Sequence, residues 1–303
     1  TQPKAIITID APDFCFQVAK RLKKSKIPII HYVAPSVWAW RPSRAKTMSK
    51  YFDHILTLLP FEPPYFTAAG ITSTFVGHPV LESGAAIASA DNFLKEYNID
   101  KKKKIVLLLP GSRAGEIRRH LPIFLETFLK LKKMVPDVYA VLIANETTFP
   151  LISHSVKDWH FPHTILNNEL RKFDALASGH LALAASGTVA LELACVGTPS
   201  LITYRINLFS AWVAKQLIKV KYANLVNLIL EREAIPEFIQ EGCNSDNLSK
   251  QLKKLLLSPL LIEQQKADYL MALDMLKSQN SNKPSISAAK IILDFLNILR
   301  PSS

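Results

Sequence analysis

Short apolar runs alternate with segments of helical period along most of the chain. Ala5–Ile9, Ile29–Val33, His54–Leu58 and Ser73–Val76 read as strands. Between them, apolar positions recur at helical spacing over Phe14–Lys24, Ala45–Tyr51 and Phe61–Ala69, with Ala34–Arg44 as a loop. Gly77-His78-Pro79 breaks the pattern and puts a domain boundary near residues 78–82. A second set opens with a short helix at Asn92–Tyr97. Its strands are Ile105–Leu109, Tyr139–Ile143, Thr164–Leu166, His180–Ala184 and Ser200–Thr203. Helices are predicted at Ile117–Met134 (restarting at Pro122), Asn168–Ala177 and Thr188–Val196. From Leu208 onward the chain reads as mostly helical, with a polar break at Ser278–Pro284 before a last helix over 285–298.

Leucine-rich and β-branched runs alternating with helices predict α/β architecture with parallel, doubly wound sheets. The expected division is 1–80, 81–280 and a C-terminal helix in 281–303 that packs back on the first domain. No apolar run approaches the roughly 18 residues of a membrane span, and no signal peptide opens the chain. The chain starts at Thr1 and enters a strand almost at once, as expected of a segment whose beginning lies elsewhere.

Composition narrows the partners. Hydrophobic residues make up 49% of the 303 and charged residues 20%, the balance of a folded globular protein. The net charge of +12 favours acidic partners: anionic lipid, nucleic acid or phosphorylated metabolites. Solvated lysine-rich helix faces account for much of that charge, and no nucleic-acid recognition motif or aromatic–basic platform is present. Cys15, Cys195 and Cys243 are widely spaced, without metal-ligand or redox spacing, as in a reducing compartment.

Ligands of open parallel sheets sit beyond the C-terminal strand ends, and three motifs fall there. Leu107–Glu116 (L-L-L-P-G-S-R-A-G-E) is a strand–turn–helix junction. Its Gly111, Ser112, Arg113 and Glu116 stand at a helix start, where unpaired N–H groups and a guanidinium suit phosphate. A tight turn with a solvated arginine is the plainer alternative. Ala185-Ser186-Gly187-Thr188 closes a later strand. Ser186 or Thr188 suits a helix cap, Gly187 admits a ligand to the backbone, and Glu192 one turn on suits a ribose diol. Asp10 closes the first strand, either as a helix cap, for which Asp13 is better placed, or as a general base.

Two further stretches carry signals. His31–Arg41 holds Trp38 and Trp40, which pack between domains or line a pocket. Tyr204–Tyr222 reads as a basic amphipathic helix. Its Phe209, Trp212, Lys215 and Lys219 suit either a core face or a membrane interface. In Asn224–Glu233, polar residues embedded in an apolar run require partners from a ligand or another domain.

Together these strings resemble lipid-A-disaccharide synthase. I-D-A-P-D-F (Ile9–Phe14), H-Y-V-A-P-S-V-W-A-W-R (His31–Arg41), L-P-F-E (Leu59–Glu62) and G-H-P (Gly77–Pro79) occur first. L-L-P-G-S-R-A-G-E-I (Leu108–Ile117), A-S-G-T-V-A-L-E (Ala185–Glu192), Tyr204-Arg205 and N-L-I-L-E-R-E (Asn227–Glu233) follow in the family order. The resemblance spans nearly the whole chain. It implies a GT-B glycosyltransferase with two Rossmann-like domains facing a cleft. Such an enzyme joins UDP-2,3-diacylglucosamine to 2,3-diacylglucosamine 1-phosphate (lipid X), inverting the anomeric centre and releasing UDP. By that resemblance Asp10 is the base for the acceptor 6-hydroxyl and Arg113, with the Ser112 loop, stabilises the departing diphosphate. Ser186, Gly187, Thr188, Glu192, Arg205 and Asn227 surround UDP. No cofactor or metal is implied. The enzyme is expected in the cytoplasm, peripheral on the anionic inner-membrane surface of a Gram-negative-type bacterium, and a homodimer is compatible.

There are two departures from the family. Its further N-terminal βα portion, with a glycine-rich loop, has no counterpart ahead of Ala5–Ile9, so the first domain reads as truncated. Ala114-Gly115 also reverses the usual order. In-fold alternatives are another UDP-N-acetylglucosamine transferase or an epimerase. A non-catalytic chain that binds UDP-sugar or lipid is the third reading.

Overall fold

The computed structural model describes residues 3–39, 43–206, 220–279 and 283–298. The chain forms two compact units, one built on Thr1–Glu82 and Asp274–Ser303, the other on Ser83–Val213 and Lys221–Leu273.

In the first unit, strands β1 (Ile6–Ile9), β2 (Ile29–Tyr32), β3 (His54–Thr57) and β4 (Thr72–Phe75) make a four-stranded parallel sheet in chain order. Helices α1 (Pro12–Leu22), α2 (Ser43–Met48) and α3 (Pro63–Thr67) connect them. Proline at the first helical position of α1 and α3 gives up an N–H that has no helical partner there. Side chains alternate across the strands. Ile29 and Ile55 pack with Ala19, Met48, Phe52 and Phe66 on one face. Ile30 and Leu56 face the other way, where Ala288, Ile291, Ile292 and Phe295 cover them. The latter come from α12 (Pro284–Ile298), so the last described helix closes the first sheet. Each such fully buried aliphatic side chain contributes about 1.5–3 kcal/mol.

The second unit carries six parallel strands: β5 (Lys104–Leu109), β6 (Val138–Ile143), β7 (His163–Leu166), β8 (Leu181–Ala185), β9 (Ser200–Tyr204) and β10 (Glu237–Ile239). Their spatial order is β10-β9-β8-β5-β6-β7. The chain therefore winds outward from β5 through β6 to β7, then resumes on the other side of β5. Helices here are α4 (Ala90–Glu96), α5 (Ala114–Met134), α6 (Phe149–Ser155), α7 (Lys172–Ser178), α8 (Val189–Val196), α9 (Leu225–Leu230), α10 (Ser245–Leu256) and α11 (Pro259–Met275). Val106 and Leu108 pack with α5 and α10 in the largest core cluster. Ile105 and Leu107, pointing oppositely, are also fully buried. Burial of both faces explains why β5 reads as a continuous apolar run.

Three elements differ from the sequence expectation. α5 starts at Ala114 and runs unbroken through Pro122, giving up only the bond to the Arg118 carbonyl. α6 and the short β10 have no counterpart in the pattern. β10 follows Pro236 and pairs only with β9, so packing rather than its own period makes it a strand.

Candidate functional site

In the second sheet the order of strand addition reverses between β5 and β8, which are parallel hydrogen-bonded neighbours. The loops after them run to opposite sides, and such a switch point leaves a crevice beyond the strand ends. Gly111-Ser112-Arg113 follows β5, Ser186-Gly187-Thr188 follows β8, and Arg205 follows β9, next in the sheet.

The Gly111 loop is held rigidly. Glu116, in the first turn of α5, accepts the backbone N–H of Ser112 at 3.0 Å and of Arg113 at 3.4 Å. Asn145 donates to the Ser112 carbonyl at 3.1 Å. Buried His120 is 3.0 Å from the Pro110 carbonyl by Nδ1 and accepts the Arg205 N–H at 2.9 Å by Nε2. Gly111 has φ +126°, and a Cβ there would meet Glu116 at 2.6 Å. Arg113 itself reaches into solvent. Its side chain is 82% exposed and pairs with Glu116 at 3.2 Å.

Glu116 was expected beside the nucleotide. Its carboxylate accepts the Ser112 and Arg113 N–H groups at the start of α5. Glu116 thus shapes the loop, and the cation it leaves for a phosphate is Arg113.

At the other loop, neither expected cap forms. Thr188 occupies the N-cap position of α8 with no side-chain bond, while the Ser186 hydroxyl donates to the Ala223 carbonyl at 2.8 Å. Gly187 and Thr188 are exposed, so the first turn of α8 presents its dipole to solvent. Glu192 is partly buried, with Oε1 held by Lys172 at 2.8 Å. Burial and the Glu192 carboxylate push the neighbouring Cys195 thiol up to about 11, which leaves it protonated and inert.

Asn227 departs from expectation more sharply. It is fully buried and its amide is saturated. Oδ1 accepts the N–H groups of Ala234 and Ile235, and Nδ2 donates to the Ile235 carbonyl and to Glu237. No donor or acceptor remains for a ligand. Glu237 also accepts from the N–H groups of Ala223 and Asn224 and from the Asn224 side chain. Asn224 and Asn227 are therefore satisfied inside their own unit and hold the segment to which Ser186 is bonded.

In the first unit, Asp10 lies at the C-terminal tip of β1, its N–H bonded to the Tyr32 carbonyl at 2.9 Å. It lines a cavity of about 340 Å³ with Asp13, Val33, Ser36, Val37 and Arg44. Three non-glycine residues at these strand tips have left-handed backbone: Asp10 (φ 50°), Ala11 (φ 42°) and Val33 (φ 72°). Each costs about 1–3 kcal/mol and persists where surrounding structure enforces it, a pattern concentrated at functional sites. Asp13 does not cap α1. It pairs with Arg44 at 2.5 Å, the arginine being the more buried partner.

Behind this cavity the β2 residue His31 is buried, with Nδ1 2.8 Å from the Thr8 hydroxyl. Burial lowers its imidazole to about 4. Trp38 packs on Phe61 and donates to Glu62 at 3.0 Å. Glu62 also accepts the N–H groups of Leu58 and Leu59, and burial raises its carboxyl to about 6. The Trp38 loop and the Leu59–Glu62 motif are thus one clamp within the first unit. Trp40 lies outside the described residues, as do Phe209, Trp212, Lys215 and Lys219. Among the described residues no helix is long and apolar enough to cross a membrane.

Sequence reasoning missed His120, Asn145, Lys172 and Glu237. Only His120 left a usable signal, four residues after Glu116 on the helix face that looks back at the loop.

Comparison with known proteins gives a consistent picture. The family model described as Lipid-A-disaccharide synthetase matches residues 1–292. A lipid-A-disaccharide synthase of Rhodospirillum centenum is 42% identical over 97% of this chain and 74% of its own length. That of Gluconobacter oxydans is 38% identical over 98% of this chain and 71% of its own length. Among solved structures, UDP-GlcNAc 2-epimerase from Neisseria meningitidis bound to UDP-GlcNAc aligns at TM-score 0.60 and 16% identity, over 97% of this chain and 76% of the other. A trehalose 6-phosphate synthase from Burkholderia multivorans aligns at TM-score 0.57 and 14% identity, over 97% and 72%. At such identities these two report the shared fold, the GT-B arrangement of two Rossmann-like domains.

Proposed function

Because the chain belongs to the lipid-A-disaccharide synthase family, glycosyltransferases of lipid A biosynthesis, we propose that it moves 2,3-diacylglucosamine from UDP to the 6-hydroxyl of 2,3-diacylglucosamine 1-phosphate. The products are UDP and the β-1,6-linked disaccharide 1-phosphate. The observation that carries this reading is the set of three loops at the β5/β8 switch point. They offer two arginines, an open helix start and a partly buried carboxylate at one strand-end edge.

The chemistry assigns the roles. As the anomeric C–O bond breaks, negative charge develops on the UDP diphosphate. Arg113 releases Glu116 to meet that charge, and Arg205 and the first turn of α8 add to the positive field. Glu192 accepts hydrogen bonds from the ribose diol, with Lys172 fixing its rotamer. Gly111, Ser112, Ser186, Gly187 and Thr188 give the backbone its close approach. The acceptor oxygen attacks the opposite face of the sugar, which inverts the anomeric centre, and its proton passes to Asp10. Arg44, in the cavity wall with Asp10, suits an anionic acceptor. Asn227 and Glu116 act by holding loops. The acylated substrates place the reaction at an anionic membrane surface, where the segment holding Phe209, Trp212, Lys215 and Lys219 makes contact.

The test is transfer of radiolabel from UDP-2,3-diacylglucosamine to the acceptor. A disaccharide formed with one equivalent of UDP supports the reading. A UDP-sugar returned only as its C2 epimer contradicts it.

A further inference from the structure

His120 is fully buried on α5, and both of its ring nitrogens are spoken for by backbone of known polarity. The Arg205 N–H can only donate, so Nε2, 2.9 Å away, is the acceptor and carries no proton. The Pro110 carbonyl can only accept, so Nδ1, 3.0 Å away, carries it. The two contacts define a single neutral tautomer. The charges around the ring agree with this. Burial, Arg119 and Arg205 lower its proton affinity, against the Pro110 carbonyl and Glu116, for a net shift downward.

Its two partners belong to different loops. Pro110 begins the turn that carries Arg113, and Arg205 follows β9 beyond β8 in the sheet. The fully buried imidazole also lies against Phe124 and Tyr204, with ring centroids 6.0 and 5.9 Å away, contacts that resist its turning away from either bond. It is a rigid spacer of fixed length between the two arginine-bearing backbones.

We propose that His120 is a positioning residue that sets the separation of Arg113 and Arg205, and thereby the affinity of the site for a nucleoside diphosphate. This rests on the reading of the switch-point loops as the UDP site. Both ring nitrogens of His120 are taken by backbone, so it acts on a bound diphosphate only through the two arginine-bearing loops. Its effect is therefore confined to the diphosphate and absent from the nucleoside.

The experiment is calorimetric titration of the full chain with UDP, and competition by uridine, for wild type and three variants. His120→Phe keeps the aromatic packing and removes both bonds. His120→Asn places an amide N–H where Nδ1 stands and keeps only the Pro110 bond. His120→Gln places a carbonyl where Nε2 stands and keeps only the Arg205 bond. The expected result is UDP affinity weakened about 10- to 100-fold in His120→Phe, the equivalent of about 1.4–2.7 kcal/mol. His120→Asn and His120→Gln should fall between it and wild type, with uridine affinity unchanged throughout. Folding is followed by near-UV circular dichroism. If His120→Phe does not fold, the two amide variants decide, and wild-type UDP affinity in both overturns the proposal. An equal loss for uridine and UDP also overturns it, since that marks general loosening. Wild type that fails to bind UDP overturns the underlying site reading instead, so the two failures are distinct.

Discussion

Glu116 closes over Gly111, its carboxylate oxygen 2.6 Å from where a Cβ at position 111 would stand. The glycine is demanded twice, by that approach and by its φ of +126°. Gly111→Ala should therefore push Glu116 off the Ser112 and Arg113 N–H groups at a cost of about 1–3 kcal/mol. The expected outcome is UDP binding weakened at least tenfold. Urea unfolding and UDP titration check both parts, and unchanged UDP affinity counts against the loop geometry.

Asn227 should be a stability residue. Asn227→Ala strands the buried N–H of Ile235, at about 1–3 kcal/mol, and the part-buried N–H of Ala234, at less. Asn227→Asp should cost more, because it sets a second carboxylate against Glu237, now 2.9 Å from Nδ2. Thermal unfolding checks the order wild type, Ala, Asp. A variant of wild-type stability with lost UDP binding would return Asn227 to the ligand.

The pH dependence of stability has a defined sign. Burial lowers His31 and His78 from 6.5 to about 4, so between those values the unfolded chain binds protons that the native chain refuses. Their stabilisation is complete above 6.5 and drains away as pH falls toward 4. Glu62 opposes them: raised from 4.5 to about 6, it takes up a proton in the native state first, and favours folding as pH falls through that window. Each group changes stability by about 1.4 kcal/mol per pH unit within its window. Glu62→Gln removes the opposing group, so its stability should fall more steeply than wild type from pH 6 to 4.5. Urea titrations at several pH values measure the two slopes, which must not run parallel.

Membrane attachment is expected to depend on charge and on aromatic residues. Replacing Trp212 with Glu, together with Lys215→Glu and Lys219→Glu, should abolish co-sedimentation with anionic vesicles while leaving UDP binding intact. Retained sedimentation would place the contact elsewhere.

Most of the framework was legible because β5 and β8 are buried on both faces and announce themselves as apolar runs ended by small residues. Their loops were legible for the same reason: Gly111-Ser112-Arg113 and Ser186-Gly187-Thr188 stand where a strand must stop. Partner choice was not legible. Glu116 beside a helix start reads equally as ligand contact or loop staple, and only the 3.0 Å bond to Ser112 decides. Asn227 and Glu237 stand ten residues apart, and β10, which brings them together, is too short to show a period. Asp13 read as a cap from its place in α1, yet Arg44 lies far away in sequence and takes its carboxylate.

The proposed transfer of the acceptor hydroxyl proton to Asp10 is open to a direct test. Single-turnover transfer from UDP-2,3-diacylglucosamine to the 1-phosphate acceptor, comparing wild type with Asp10→Asn, measures it directly. The prediction is β-1,6 disaccharide from wild type and a rate about 10²–10⁴-fold lower for Asp10→Asn, with UDP affinity retained. Disaccharide formed at the wild-type rate by Asp10→Asn would contradict it, as would a folded, UDP-binding wild type that forms none.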